Sequence, residues 1–320
     1  MYKGKTVAVV VPAYNEETQI GIVITTMPSY VDHIVIVNDC SKDGTSQAVK
    51  AHVSTDSRVI LLEHTINQGV GGAIATGYKW ARDNNIDMAA VMAGDAQMDP
   101  NDLPALLDPV VAGEADYSKG NRLFTGEAFK KIPKIRYFGN SVLSLLTKVA
   151  SGYWNIADSQ TGYTVINLRS LRLIDWDSMF KRYGQPNDLL VKLNVYNLRV
   201  VDVPIEPVYG VGEKSGIKVH KVVFTIGWLL VRLFFWRLKE KYVIRDFHPL
   251  VFFYAFGLFM LPISLLFFAR TMALWWVDGA VPEISFLVWM FTTATAMNSL
   301  MFAMWLDYQH NRHLCEGSVK

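Results

Sequence analysis

Short apolar runs alternate with longer amphipathic segments through the first third of the chain. The runs occupy Val7–Val11, Ile34–Val37, Val59–Leu62 and Ala89–Met92. Segments with helical periodicity, such as Ala73–Arg82, lie between them. Strands that alternate with helices indicate a mostly parallel sheet with helices on both faces. We therefore predict an α/β fold for this part of the chain.

Two long uncharged segments lie in the last quarter of the chain. Residues 249–269 and 284–306 comprise 21 and 23 residues without a charged side chain. A helix needs about 20 apolar residues to cross roughly 30 Å of hydrocarbon. Helices of globular proteins seldom lack every charge over six turns. We predict two transmembrane helices, and the alternative is a pair of buried helices in a soluble domain.

The charges that flank these segments predict their orientation. Cations precede the first segment at Arg237, Lys239, Lys241 and Arg245, and others follow the second at Arg312 and Lys320. The connector has one cation against two acids, at Arg270, Asp278 and Glu283. The positive-inside rule then predicts an integral membrane protein with both termini and the soluble body in the cytosol. No signal-peptide pattern precedes the first apolar run, which agrees with this orientation.

The segment before the first span is also periodic. Apolar residues recur at helical spacing at Val219, Val222, Val223, Ile226, Leu230 and Leu233. Cations fall near the opposite side of the helix at Lys221, Arg232, Lys239 and Lys241. Such a helix can lie in the headgroup layer, and packing on its own domain is the alternative. We predict a globular domain over 1–216, an amphipathic helix and neck over 217–247, a transmembrane hairpin over 248–306 and a tail over 307–320.

Charge and cysteine content exclude some functions. The chain has 31 Lys and Arg against 29 Asp and Glu, a net charge of +2, which argues against nucleic-acid binding through bulk charge. Cys40 and Cys315 have neither the number nor the spacing of a disulfide framework or a metal site. The sequence leaves the oligomeric state open.

Polar residues follow three of the predicted strands, and one group has the chemistry of a metal site. Asp95 and Gln97 lie two residues apart after the fourth run, so their oxygens can point to one spot. Such hard ligands suit Mg²⁺ or Mn²⁺, with phosphate oxygens completing the shell. Asp99 is a third candidate ligand. The alternative is a turn in which Asp makes only local hydrogen bonds.

Six motifs stand in an order that points to one family. They are VPAYNEE at 11–17, NDCSKDGT at 38–45, NQGVGGA at 67–73, GDAQMDP at 94–100, GNR at 120–122 and DSQTGY at 158–163. In this order they resemble the family 2 glycosyltransferases, in the branch of dolichyl-phosphate mannose synthase and bacterial polyprenyl-phosphate glycosyltransferases. The resemblance spans roughly residues 6–220 and implies a nucleotide-sugar-binding, GT-A-like sheet.

The resemblance also implies an activity. A chain of this kind would be a metal-dependent, inverting enzyme that uses Mg²⁺ or Mn²⁺. It would transfer one hexose from a UDP- or GDP-hexose to a polyprenyl (dolichyl or undecaprenyl) phosphate at the cytosolic membrane face. A lipid phosphate is already ionised at pH 7, so this reaction needs no strong general base, whereas a hydroxyl acceptor would need Asp158 to remove a proton.

Residue by residue, the resemblance assigns roles at the site. Three residues would be catalytic, namely Asp95, Arg122 and Asp158. Asp95 would hold the metal together with Gln97, Arg122 would meet the acceptor phosphate, and Asp158 would stand beside the reacting centre. The donor nucleotide would be bound by Pro12, Tyr14, Glu16, Asp39, Gly69, Lys214 and Ser215. Many family members have Asp-x-Asp-x-Gln, and the first Asp is Ala93 here, which leaves the metal fewer protein ligands.

Several residues keep a plainer interpretation. Residues 119–136 hold six cations against Glu127, which fits a phosphate acceptor, although the lysines at 130, 131 and 134 also fit a solvated loop. Gly69 fits a helix entry that needs close backbone approach better than a dinucleotide fingerprint. The segment 213–218 is either a loop near the donor or a hinge. Asp188 either caps a helix or supports a sugar pocket. No catalytic or metal-binding role is assigned to His64.

Two other functions are compatible with the sequence. A processive polysaccharide synthase would share the catalytic body, but the Gln-x-x-Arg-Trp motif and the additional spans typical of such enzymes do not occur here. A membrane-anchored nucleotide-sugar sensor without catalysis is the second alternative, and Ala93 is the residue that motivates it.

Overall fold

The computed structural model describes residues 1–123, 134–206 and 219–315, with side chains for all of these except 134–140 and 219–223. Within these residues seven strands form one sheet. They are β1 (Val7–Ala13), β2 (His33–Asn38), β3 (Val59–Glu63), β4 (Met88–Val91), β5 (Tyr117–Asn121), β6 (Thr164–Asn167) and β7 (Val200–Pro204). Their order across the sheet is β3-β2-β1-β4-β6-β5-β7.

Helices surround this sheet and alternate with its strands. They are α1 (Ile20–Thr25), α2 (Thr45–Val53), α3 (Val70–Asp83), α4 (Leu103–Val111), α5 (Lys134–Ser151), α6 (Leu168–Leu173) and α7 (Gln185–Val195). The predicted α/β fold is therefore confirmed. The four predicted strands match β1 to β4 within two residues at each end, and the predicted helix Ala73–Arg82 lies inside α3.

The central strands are apolar along their whole length because both faces of the sheet are covered. In β1, Val7, Val9 and Val11 belong to one core cluster. Ala8 and Val10 belong to the cluster on the other face. Alternate residues of a strand point to opposite faces, so a strand buried on both sides is a continuous apolar run.

Strand direction determines where the site lies. β1 pairs in parallel with β2 and β4, and β2 with β3. β6 is antiparallel to both β4 and β5, and β5 is parallel to β7. The segments that follow β1, β2, β4 and β5 therefore leave one edge of the sheet, and the segment before β6 enters at the same edge. Ligands of such sheets bind at this carboxyl edge.

The chain divides into two compact units. The first contains the sheet and comprises Met1–Phe234 with His313–Lys320, and the second comprises Phe235–Arg312. The division falls inside helix α8 (Val219–Lys239). The domain boundaries at 216/217 and 306/307 stay predictions.

The second unit contains two helices that are long and apolar enough to cross a membrane. They are α9 (Leu250–Asp278) and α10 (Glu283–Asn311), and a π-helical turn over Glu240–Arg245 precedes them. Both extend beyond the predicted spans. Arg270 was expected in the connector but lies inside α9, because the connection is confined to the short segment between Asp278 and Glu283. Gly279 ends α9 in the left-handed conformation, at φ 68°.

The apolar stripe of α8 does not face lipid at the residues whose side chains are described. Ile226, Leu230 and Leu233 are buried in a cluster of the first unit with Leu143, Ala150 and Val191. The alternative prediction, that this face packs on its own domain, is therefore correct for these three residues. A second apolar face is exposed and carries Phe224 and Trp228, with side chains 82% and 69% exposed.

A buried ion pair lies inside the second unit. The Arg237 guanidinium donates from Nη1 and Nη2 to the two carboxylate oxygens of Asp307, each at 2.9 Å. Both side chains are fully buried. The Tyr242 hydroxyl donates to the same carboxylate at 2.5 Å, and Lys241 Nζ donates to Asn311 Oδ1 at 2.7 Å. Arg237 and Lys241 were counted among the cations that flank the first span, and carboxylate and amide partners hold both of them inside this cluster.

We expect Arg237→Met to lower the free energy of unfolding of the second unit by about 3–5 kcal/mol, because Asp307 would remain buried without its partner. The measurement is denaturant unfolding of the full chain in detergent micelles. Arg245→Met is the matched control: its side chain is 42% exposed in an ion pair with Glu240, and such pairs contribute up to about 1 kcal/mol. Equal effects of the two substitutions would contradict the prediction.

Candidate active site

Three loops meet at the carboxyl edge of the sheet. The Asn15 amide donates to Ser41 Oγ at 3.0 Å, and the Lys42 amide donates to Asn15 Oδ1 at 2.9 Å. The Gly94 amide donates to the Pro12 carbonyl at 3.3 Å. These bonds join the loops that follow β1, β2 and β4. The structure thus brings the predicted residues Pro12, Tyr14, Glu16, Asp39 and Asp95 to one edge.

Negative charge accumulates where these loops meet. Burial, followed by the charges of Asp95 and Asp43, raises the pKa of Glu16 to about 7. Burial also acts to raise the pKa of Asp43, but hydrogen bonds from Thr45 outweigh it and lower that pKa. A carboxyl group whose charged form is disfavoured by neighbouring carboxylates marks a place where a bound cation would be stabilised.

The residues at 93–99 fit a divalent ion whose remaining ligands come from a substrate. Asp95 Oδ1 accepts a hydrogen bond from the backbone N–H of Gln97 at 3.1 Å, and Ala96 between them has a φ of 58°. Among the described residues, no group of three or more His, Cys, Asp or Glu side chains could hold a metal by itself. Magnesium is commonly bound by one or two carboxylates plus substrate phosphates, and Asp95 with Gln97 matches that donor set.

Asp99, the third candidate ligand, makes local hydrogen bonds in this turn. Its carboxylate accepts a hydrogen bond from the Asn101 amide at 2.8 Å and caps the short 3₁₀ helix Pro100–Asp102. Its carbonyl oxygen accepts from the Tyr163 hydroxyl at 3.0 Å. Asp99 therefore acts in local hydrogen bonding, the role that the alternative prediction gave to Asp in this turn.

Asp39 organises the loop that enters α3. Its Oδ1 accepts hydrogen bonds from His64 Nδ1 at 2.7 Å and from the Gln68 amide at 2.8 Å, and its Oδ2 accepts from the Gly69 amide at 2.7 Å. The side chain is 4% exposed. Nucleotide binding by Asp39 stays a prediction. His64, to which the sequence assigned no chemistry, positions this carboxylate.

Gly69 stands where no other residue fits without strain. Its φ is +85°, and a Cβ built on it would lie 2.5 Å from the Lys181 carbonyl oxygen. The predicted close backbone approach at the helix entry is confirmed, and the segment approached is Phe180–Lys181. Asp188 holds this segment, because its Oδ2 accepts from the Phe180 amide at 2.7 Å. Asp188 lies in the first turn of α7 and is not its N-cap, which is Gly184.

A bidentate ion pair joins the end of β5 to the segment before β6. Arg122 Nε donates to Asp158 Oδ2 at 2.7 Å, and Arg122 Nη2 donates to Oδ1 at 3.2 Å. The Arg122 side chain is 38% exposed, whereas that of Asp158 is 4% exposed. The predicted acceptor cation and the predicted catalytic carboxylate are therefore partners.

The ion pair decides the protonation state of Asp158. Burial acts to raise the pKa of Asp158, but the hydrogen bonds and charge of Arg122 outweigh it and lower that pKa. An ionised carboxylate with a lowered pKa is a weak base, so Asp158 is poorly suited to take a proton from a hydroxyl acceptor. Its geometry suits the orientation of a guanidinium.

Several predicted residues lie elsewhere or outside the described residues. Lys119 was counted in the basic stretch, but its side chain is fully buried in β5 because it binds the Asp158 carbonyl oxygen. Lys214 and Ser215 lie outside the described residues, as do Lys130 and Lys131. Their roles stay predictions.

Comparison with known proteins identifies related sequences. Residues 8–174 match the profile of Glycosyl transferase family 2. The UDP-N-acetylglucosamine–dolichyl-phosphate N-acetylglucosaminyltransferase of Methanococcus voltae is 30% identical over 218 residues, covering 64% of this chain and 86% of that protein. The undecaprenyl-phosphate mannosyltransferase of Micrococcus luteus is 29% identical over 226 residues, covering 69% of this chain and 92% of that protein.

A solved structure shares the fold. Glucosyl-3-phosphoglycerate synthase from Mycobacterium tuberculosis, crystallised with Mn²⁺, uridine diphosphate and glucosyl-3-phosphoglycerate, aligns with a TM-score of 0.54. The alignment covers 73% of this chain and 80% of that one, at 18% identity. At this identity the similarity concerns the fold, and it agrees with the predicted GT-A-like sheet.

We expect Gly69→Ala to lower the free energy of unfolding of the first unit by about 2–6 kcal/mol, because its φ of 85° and ψ of 166° lie in a region essentially limited to glycine and because the added Cβ overpacks the site. Gly113→Ala is the matched control: Gly113 has φ +71°, and no atom lies within 4 Å of a Cβ built there. Its cost is the backbone strain alone, about 1–2 kcal/mol. Denaturant unfolding of both variants measures the difference, and equal losses would show that the close approach at Gly69 carries no energy.

Proposed function

The chain belongs to glycosyl transferase family 2, and from this we propose that it transfers a single hexose from a nucleotide sugar to a polyprenyl phosphate. The observation that carries the proposal is the pairing of Arg122 with an ionised Asp158 at the carboxyl edge of the sheet. This pair offers a cation for a phosphate acceptor and lacks the strong base that a hydroxyl acceptor would require.

The proposed reaction is one displacement at the anomeric carbon. An oxygen of the lipid phosphate attacks that carbon, and the bond to the nucleotide diphosphate breaks with its electron pair on the departing oxygen. Attack opposite the leaving group inverts the anomeric configuration. A phosphate monoester has its second pKa near 6, so the attacking oxygen is ionised at pH 7 without help from the protein.

The residues of this chain would supply orientation and charge. The Arg122 guanidinium would bind the acceptor phosphate through its planar fork of N–H donors, and Asp158 would hold that fork in place. The loops that carry Pro12, Tyr14, Glu16 and Asp39 would bind the nucleotide. Asp95 and Gln97 would hold Mg²⁺ or Mn²⁺ together with donor phosphates, and such an ion would supply charge neutralisation for the leaving diphosphate.

The two apolar helices fit an acceptor that is confined to a bilayer. We propose that α9 and α10 anchor the chain as two spans, with both termini and the catalytic unit in the cytosol, as the flanking cations favour. The exposed aromatic face of α8, with Phe224 and Trp228, would lie at headgroup depth. Anchoring confines the search for the lipid phosphate to two dimensions.

The identity of the transferred sugar is proposed only as a class. The two relatives are named for N-acetylglucosamine and for mannose, and both names include a polyprenyl-type phosphate acceptor. A few pocket contacts of modest energy discriminate among such sugars. We therefore propose a UDP- or GDP-linked hexose or its amino derivative as the donor.

The test is transfer of label to lipid, with Asp95→Asn as the diagnostic variant. Purified full-length protein in lipid–detergent micelles is incubated with radiolabelled UDP- and GDP-sugars, Mg²⁺ or Mn²⁺ and a polyprenyl phosphate, and the lipid is extracted. We expect lipid-linked label with one donor, its loss on chelation, and at least about 100-fold lower turnover for Asp95→Asn.

Asp177→Asn serves as the control because its side chain is 81% exposed in an ion pair with Lys79. It should leave turnover unchanged. Nucleotide binding without lipid-linked label under any donor would overturn the proposed function and favour a sensor. Normal turnover of Asp95→Asn would remove Asp95 from the metal site.

Arg122→Ala should raise the KM for polyprenyl phosphate by about 10- to 100-fold, because a charge-assisted bidentate contact is lost. The KM for the nucleotide sugar should change little. Arg122→Lys keeps the charge without the fork and should fall between the wild type and the alanine variant. An unchanged KM for the lipid in Arg122→Ala would place the acceptor phosphate elsewhere.

A further inference from the structure

A buried cation and a buried anion lie side by side in the sheet, behind the Arg122–Asp158 pair. Lys119 in β5 and Asp202 in β7 are register partners in a parallel pairing, so their side chains project from the same face. They are 0% and 6% exposed. Burying a charged group is costly unless it has a partner of opposite charge or hydrogen bonds.

Both side chains bind the main chain immediately around Asp158. Asp202 Oδ2 accepts a hydrogen bond from the Ala157 amide at 2.7 Å. Lys119 Nζ donates to the carbonyl oxygen of Asp158. The other carboxylate oxygen of Asp202 is buried and has no hydrogen-bond partner among the described residues. Burial raises the pKa of Asp202 to about 6, and the charge of Lys119 is the largest effect that opposes this rise.

We propose that Lys119 and Asp202 are positioning residues that clamp the Ala157–Asp158 main chain from inside the sheet and so fix the carboxylate that orients Arg122. The consequence for acceptor binding rests on the proposed function, whereas the clamp itself rests on the contacts described above. Each end of the two-residue segment has one bond to the pair, which restrains the backbone from which the Asp158 side chain projects.

The electrostatics of the site agree with this role. Burial lowers the pKa of Lys119, and the charges of Asp158 and Asp202 oppose that effect. A buried ion pair can often be replaced by apolar residues of similar volume without loss of stability. A charged pair at this place is therefore poorly explained by stability alone, and its two contacts point to control of position.

The first measurement is hydrogen–deuterium exchange of the full chain, which needs no substrate. We expect Lys119→Met and Asp202→Ala to raise exchange at least severalfold over residues 155–160 and to leave α3 unchanged. Lys192→Met is the matched control, since Lys192 is a buried lysine that pairs with Asp188. This substitution should leave the exchange rates of residues 155–160 unchanged. Unaltered exchange of this segment in both clamp variants would overturn the clamp.

The second measurement separates positioning from general destabilisation. Asp202→Ala should lower kcat/KM for polyprenyl phosphate by about 10- to 100-fold, and Asp202→Asn, which keeps an oxygen for the Ala157 amide, should lower it less. The affinity for UDP or GDP should not change. In an Arg122→Ala background the effect of Asp202→Ala should largely vanish, because the residue it positions is gone.

Additive losses in that background, or an equal loss of nucleotide affinity, would overturn the positioning role. If the wild-type chain makes no lipid-linked sugar but the two variants exchange faster over residues 155–160, the proposed function is overturned and the clamp remains supported.

Discussion

The site depends on one interaction, the bidentate ion pair between Arg122 and Asp158. An almost fully buried carboxylate stays ionised only where a cation and several N–H donors stabilise it. Arg122 and the Gln160 amide, which donates to Asp158 at 3.1 Å, provide that stabilisation. Because the guanidinium is partly exposed and the carboxylate is not, the pair has one end fixed in the protein and the other facing solvent. That asymmetry is what a receptor for an anionic group needs.

The central sheet was predictable because its strands are buried on both faces. Such strands are continuous apolar runs, and β1 to β4 could be recognised from four or five residues each. β5 contains Lys119 within Tyr117–Asn121, and a lysine in a strand is normally exposed. Its burial is compensated by the Asp158 carbonyl oxygen and by the charges of Asp158 and Asp202, which lie far along the chain, and sequence spacing does not reveal these contacts. The only signal was a charged residue inside the apolar run of β7.

The interpretation of α8 shows a second limit of the same kind. Periodicity defines a face but not what the face contacts. Ile226 and Leu230 define an apolar stripe correctly, and that stripe packs on the catalytic unit. Similarly, Arg237 stands among cations that look exposed, yet it is neutralised by Asp307, which lies at the far end of the second apolar helix. Long-range compensation of charge therefore accounts for most of the differences between the predicted and observed positions of charged residues.

Compensation of charge also bears on the proposed metal site, where Ala93 stands at the position at which many family members have a carboxylate. Glu16, Asp43 and Asp95 already concentrate negative charge at this edge, and a nucleotide diphosphate would add more. A further carboxylate at 93 would strengthen binding of a free cation, but it would also increase repulsion of the donor. With fewer protein ligands, a cation bound here would gain most of its coordination from the diphosphate itself. Under the proposed function, this arrangement would favour the metal–nucleotide complex over either component alone, and metal binding would then depend on the presence of the donor.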